Sequence, residues 1–108
     1  MPKRILIVDD DAHIRLLLRR TLEELELEGV EISVAEDGVD GLDKARALRP
    51  DLIFLDVMMP RMNGMDVCRA IRKDSELVAT HVIILTARGQ TMPPLDLAFG
   101  PHEFLTKP

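Results

Sequence analysis

Asp56 is the residue around which the chemistry of this chain gathers, because it follows directly on Leu52, Ile53, Phe54 and Leu55, an unbroken apolar run of strand length. Such a run fits a parallel strand buried on both faces, and a carboxylate at its C-terminal end stands where open α/β sheets build their sites. The same punctuation recurs along the chain. Ile5 to Val8 stops at Asp9, Asp10 and Asp11, Val82 to Leu85 stops at Thr86, and Glu103, Phe104 and Leu105 lead to Lys107. In parallel strands the C-terminal ends share one edge, so Asp9, Asp10, Asp56, Thr86 and Lys107 should converge although they are far apart in sequence. Crowded carboxylates raise one another's pKa or recruit a cation, and hard oxygen ligands with room for water suit Mg²⁺, or Mn²⁺ in its place. Asp56 is then a nucleophile toward phosphorus that forms an acyl phosphate. The metal and Lys107 would neutralise the transferring phosphoryl group, and Thr86 would donate a hydrogen bond to it.

The elements that must position these residues alternate. A helix is expected from Ala12, with Ile14, Leu17, Leu18, Leu22 and Leu25 on one stripe, ending before Gly29 as a C′ residue. Asp11 is its cap. Glu31 to Ala35 reads as an edge strand, and Asp37 caps a second helix whose stripe is Val39, Leu42, Ala45 and Leu48, stopped by Pro50. After Asp56 the residues Met58, Met59, Pro60, Asn63 and Gly64 read as a tight loop, since Pro fixes φ and Gly permits a positive one, before a third helix from about Met65 to Lys73. Pro93 and Pro94 allow only a short fourth helix, about Pro94 to Phe99, and Glu103 to Leu105 form the last strand. Five strands separated by helices give an α/β, doubly wound, five-stranded parallel sheet in the order 2-1-3-4-5. The first helix then covers one face and the other helices cover the opposite one.

A chain of 108 residues is read as one domain spanning residues 1 to 108. It lacks a long apolar tract and a signal-peptide pattern, which points to the cytoplasm and away from a membrane. The single cysteine, Cys68, reads as a core residue in a reducing compartment. A net charge of −5 without a Lys/Arg block argues against nucleic-acid binding by this domain.

The motifs resemble a known family, the receiver domain of two-component response regulators, and are similar to the chemotaxis receiver. The resemblance rests on Asp9 and Asp10, on LDVMMPRMNG around Asp56, on LTA at Leu85 to Ala87 and on FLTKP at Phe104 to Pro108. It implies a flavodoxin-like fold and a phosphorelay function in which a histidine kinase or phosphotransfer protein supplies the phosphoryl group. It further implies that Asp9 and Asp10 bind metal, that Asp56 is the phosphoacceptor and that Lys107 pairs with the phosphate. By the same match Thr86 and Phe104 are the switch pair, and the backbone carbonyl of Met58 is a metal ligand. The positions flanking the phosphoryl group are Met58 and Arg88, neither of which can orient an attacking water, so a long-lived phosphorylated form is expected. The family's fifth helix is absent from the sequence, which therefore reads as truncated after the fifth strand. An apolar strip over strands three, four and five is then expected to lie bare on the face shared with the first helix, inviting self-association.

Other readings stand beside these. Taken alone, Asp9 to Asp11 read as a helix cap and Lys107 as a solvated charge, and His13, His81 and His102 read as surface or strand-flanking residues. Met58, Met59, Met62 and Met65 read as loop and core filling. Two other function classes remain: a receiver-fold interaction module or fragment that no longer switches, and a Mg²⁺-dependent phosphohydrolase of the haloacid dehalogenase type, suggested by the Asp9-x-Asp11 spacing.

Overall fold

The computed structural model describes residues 2–59, 61–86 and 103–107. The apolar runs form five strands: β1 (Arg4–Val8), β2 (Glu31–Ala35), β3 (Leu52–Asp56), β4 (His81–Thr86) and β5 (Glu103–Thr106). They make one parallel sheet in the order β2-β1-β3-β4-β5. The helix expected at residues 94 to 99, with Ala87, Arg88 and His102, lies outside the described residues.

The first helical stretch is divided into α1 (Ala12–Thr21) and α2 (Glu23–Leu27) where one helix was expected. Thr21 Oγ1 donates back to Leu17 O at 2.8 Å, and Leu22 departs from helical geometry at φ −94, ψ 6. A hydroxyl bonded to the preceding turn bends a helix, and the acids Glu23, Glu24 and Glu26 favour a new N-terminus just after it. Gly29 ends the stretch at φ 100, as the C′ position requires. α3 (Gly38–Leu48) is capped by Asp37, whose Oδ1 accepts from Asp40 N–H at 2.8 Å. α4 (Gly64–Lys73) is capped by Asn63, which accepts from Asp66 N–H at 3.0 Å.

Two apolar layers sandwich the sheet. On one face Leu42 and Ala45 of α3 and Val67, Cys68 and Ile71 of α4 bury against Leu6, Val8, Ile53, Leu55, Val82 and Ile84. Each Val, Leu and Ile side chain among them contributes about 1.5–3 kcal/mol by leaving water. On the other face Ile5, Ile7, Ile32, Phe54, Ile83 and Leu85 bury against one another and against Leu18, Leu22, Val30, Val34 and Leu52. This corrects the expected bare strip. Over β3 and β4 the strip is closed: Phe54 is only 7% exposed and Leu85 2%, in a cluster against which Leu18 and Leu22 of the first helical stretch also pack. Exposure on this side falls instead on Leu105 of β5 and on Leu16, Leu17, Leu25 and Leu27, so Leu17 and Leu25 lie outside the buried stripe they were expected to join.

Candidate functional site

The strands run out of apolar residues at one height. Val8 pairs with Leu55, Asp56 with Leu85 and Thr86 with Thr106, which sets Asp9 beside Asp56 and places Lys107 just past the end of β4. The ladder continues one step further, since Asp9 N–H donates to Ala35 O at 3.2 Å and Lys107 N–H donates to Thr86 O at 2.7 Å. Asp9 is then pinned from two sides. Its Oδ1 accepts from Asp11 N–H at 2.9 Å, and its carbonyl accepts from Arg15 Nη1 at 2.7 Å. Asp11 turns outward and caps α1 by accepting from His13 N–H at 2.8 Å, so the Asp9-x-Asp11 pair is divided between the site and a helix terminus.

Lys107 Nζ lies 3.0 Å from Asp9 Oδ2 and 3.0 Å from Asp56 Oδ1, with its side chain 16% exposed. It is therefore no solvated charge. One ammonium serves two buried carboxylates, and the charge balance follows from that shortage. Burial pushes the Asp56 carboxyl up from 3.8 to about 6; the hydrogen bond and charge of Lys107 pull it down, while the Asp9 charge and an Asp10 hydrogen bond push it up. Burial works against the Lys107 charge as well. Its contacts with Asp56 and Asp9 outweigh that cost and hold the ammonium above the usual lysine value.

The acids suit a hard cation. One carboxylate oxygen from each of Asp9, Asp10 and Asp56 lies within 4.8 Å of the other two. Asp9 Oδ2 is buried and, although 3.0 Å from Lys107 Nζ, receives no donor at a hydrogen-bonding angle. A buried carboxylate oxygen left with lone pairs unused, beside two further acids of which Asp10 is exposed, fits Mg²⁺ with water in its remaining positions. Met58 stands two residues after β3 and is 68% exposed, whereas Met59, Met62 and Met65 pack against the core. Thr86 is buried, and its Oγ1 donates a long 3.4 Å bond to Leu105 O. The backbone of Phe104 pairs with Ile84, and its ring lies outside the described residues.

Several residues shape the site in ways that were not read from the sequence. Gly64 has no positive φ; among the described residues of the loop the left-handed one is Arg61, at φ 70. Gly64 is needed because α4 begins so close to β3 that a Cβ would overlap the Asp56 carbonyl oxygen, and its N–H donates to Val57 O at 2.9 Å. Asn63 could have been found as an N-cap before a helical stripe. No sequence signal marks the Arg15 bond to a strand-end carbonyl.

Similarity to known proteins agrees with this geometry. The response regulator receiver domain profile matches residues 5–108. The chain is 42% identical over 109 residues to the DNA-binding response regulator MtrA of Mycobacterium tuberculosis, covering 100% of this chain and 45% of that protein. It is 41% identical to the response regulator MprA of a Mycobacterium species, again covering 45% of the relative, so the chain spans about half the length of the curated relatives it matches. Among solved structures, the chemotaxis protein CheY4 of Vibrio cholerae superposes with a TM-score of 0.83 at 32% identity, covering 100% of this chain and 88% of the other. The receiver domain of a DNA-binding response regulator from Colwellia psychrerythraea gives 0.80 at 27% identity, covering 97% and 85%. With the acid cluster, the strand-end lysine and the 2-1-3-4-5 sheet all in place, the chain belongs to the response regulator receiver domain family.

Proposed function

We propose that this chain, read as one receiver domain over residues 1 to 108, is the phosphoacceptor switch of a two-component pathway and works in the cytoplasm. The observation that carries the reading is Asp56, 2% exposed and 3.0 Å from an ammonium that it shares with Asp9. A partner histidine kinase, or a phosphotransfer protein, presents a phosphohistidine. An Asp56 carboxylate oxygen bonds to phosphorus as the P–N bond breaks, the imidazole takes up a proton, and an acyl phosphate remains. Lys107, already within contact of Asp56, turns its charge to the added phosphoryl oxygens. Asp9, Asp10, Asp56 and the Met58 carbonyl would hold Mg²⁺ or Mn²⁺, which supplies positive charge that offsets the phosphoryl group.

Thr86 gives up a long bond to Leu105 O when its hydroxyl turns to the phosphoryl group, a small loss. That motion frees β5 at the residue next to Phe104, which supports a Thr86–Phe104 switch. The domain takes part in its own phosphorylation and dephosphorylation and acts on no separate substrate. Among the described residues no helix is long and apolar enough to cross a membrane. Self-association enters this reading only at the β5 edge, where Leu105 is exposed.

Incubation with acetyl phosphate and Mg²⁺, read by intact mass and a two-dimensional amide spectrum, tests the assignment. Wild type should gain one labile phosphoryl group and show shifts remote from Asp56. Asp56→Asn should gain none, and Thr86→Ala should gain it while losing most of the remote shifts. A wild-type rate of uptake in Asp56→Asn would remove the assignment.

A further inference from the structure

The loop after Asp56 is fastened to α3 as well as to β3. Arg61 stands in the left-handed region at φ 70, where a residue with a Cβ is strained, and such strain persists only where the surroundings over-determine it. Two contacts do so here. Arg61 Nη1 lies 3.0 Å from Asp37 Oδ2, while the other carboxylate oxygen of Asp37 caps α3 through Asp40 N–H at 2.8 Å. Next to it, Gly38 approaches the loop so closely that a Cβ would overlap the Met62 carbonyl oxygen. The pair has its acid inside and its base at the surface, with side-chain exposures of 15% for Asp37 and 61% for Arg61.

We propose that Arg61 is a positioning residue for the cation site: its pairing with Asp37 clamps the loop after Asp56, at Arg61 and Met62, onto the start of α3, so that cation affinity depends on a side chain that is no ligand. The proposal rests on the reading that the Met58 carbonyl, within this loop, is one of the ligands. Moving that carbonyl by a fraction of an ångström matters because Mg²⁺ demands near-ideal octahedral geometry at short distances. Residues that orient ligands without touching the metal commonly change affinity tenfold or more. A half-exposed clamp belongs at the lower end of that range.

The sign separates this role from a simple field effect. Arg61 is a cation, so by charge alone its removal should strengthen Mg²⁺ binding. The clamp requires the opposite. In the 108-residue chain, Mg²⁺ titrations read from amide shifts should give an affinity about 3- to 10-fold weaker for Arg61→Ala, and within about twofold of wild type for Arg61→Lys. Asp37→Asn, which keeps a cap acceptor, should weaken binding similarly, and the double variant Arg61→Ala with Asp37→Asn should be no weaker than either single one. Arg61→Gly relieves the left-handed strain and should leave the thermal midpoint of the metal-free chain unchanged or raised while still weakening Mg²⁺ binding. A merely structural residue would move both together. Equal or tighter Mg²⁺ binding by Arg61→Ala would overturn the proposal alone. A wild type whose amides do not respond to Mg²⁺ at all would overturn the metal reading and the proposal with it.

Discussion

The buried Asp56 carboxylate comes at a cost to stability. In the unfolded chain its carboxyl ionises near 3.8, and in the fold burial first, then the Asp9 charge, raises that to about 6 against the pull of Lys107. Between these values the folded protein holds a proton that the unfolded chain has lost, so stability falls as pH rises through the window and is fully present only below it. The gap corresponds to about 3 kcal/mol at most. Asp56→Asn should therefore match wild type near pH ~4 and become the more stable protein above pH ~6, by up to about 3 kcal/mol in chelator, as read by thermal midpoints at both pH values. An advantage that does not grow with pH would show that burial is not the cause. Met58 acts at the same scale. Its exposed thioether neither donates nor orients a water, so the phosphorylated form should be long-lived and Met58→Asn should shorten its lifetime severalfold. Fast decay in wild type, unchanged by the substitution, would contradict this.

At the scale of elements the site depends on how closely helices begin against strand ends. Gly64 is one of the tightest of these junctions, since any side chain there would displace the carbonyl of Asp56 itself. Gly64→Ala should cost roughly 3 kcal/mol in stability and slow phosphate uptake at saturating Mg²⁺, with urea unfolding and intact mass as the measurements. A variant of wild-type stability and rate would mean that α4 can shift freely. The sheet order and the meeting of Asp9, Asp10, Asp56 and Lys107 were legible because unbroken apolar runs end on Asp9 and Asp56, and Lys107 follows the last short strand; strand ends need only a period and a stop. The bend at Leu22, the closed layer around Phe54 and the left-handed Arg61 were not legible. Each is decided by a contact across the fold or between turns: Thr21 with Leu17, Phe54 with its sheet neighbours, and Arg61 with Asp37. Composition and periodicity contain no such term.

For the whole molecule, the two faces are unequal. The α3 and α4 side is fully packed, whereas neither α1 nor α2 has a completely buried residue, so the chain presents several leucines on its first helical stretch. Lys107 has a wider reach than its role beside Asp56. Its backbone hangs from β4 beyond the end of the edge strand β5, yet its ammonium touches Asp9, just after β1, and Asp56, the last residue of β3, so one side chain passes over the end of β4 to the sheet's centre. Neighbouring strands are about 4.8 Å apart, so this reach works as a tie-rod against fraying of a four-residue edge. Hydrogen exchange should register it. In Lys107→Met the amides of Leu105 and Lys107 should exchange about tenfold faster while those of β1 and β2 keep their protection, a local opening rather than a global loss. On the proposed function it is Lys107 that turns its charge from these acids to an incoming phosphoryl group, so the same rod would slacken and the chemistry at Asp56 would become a mechanical load on the rim of the sheet.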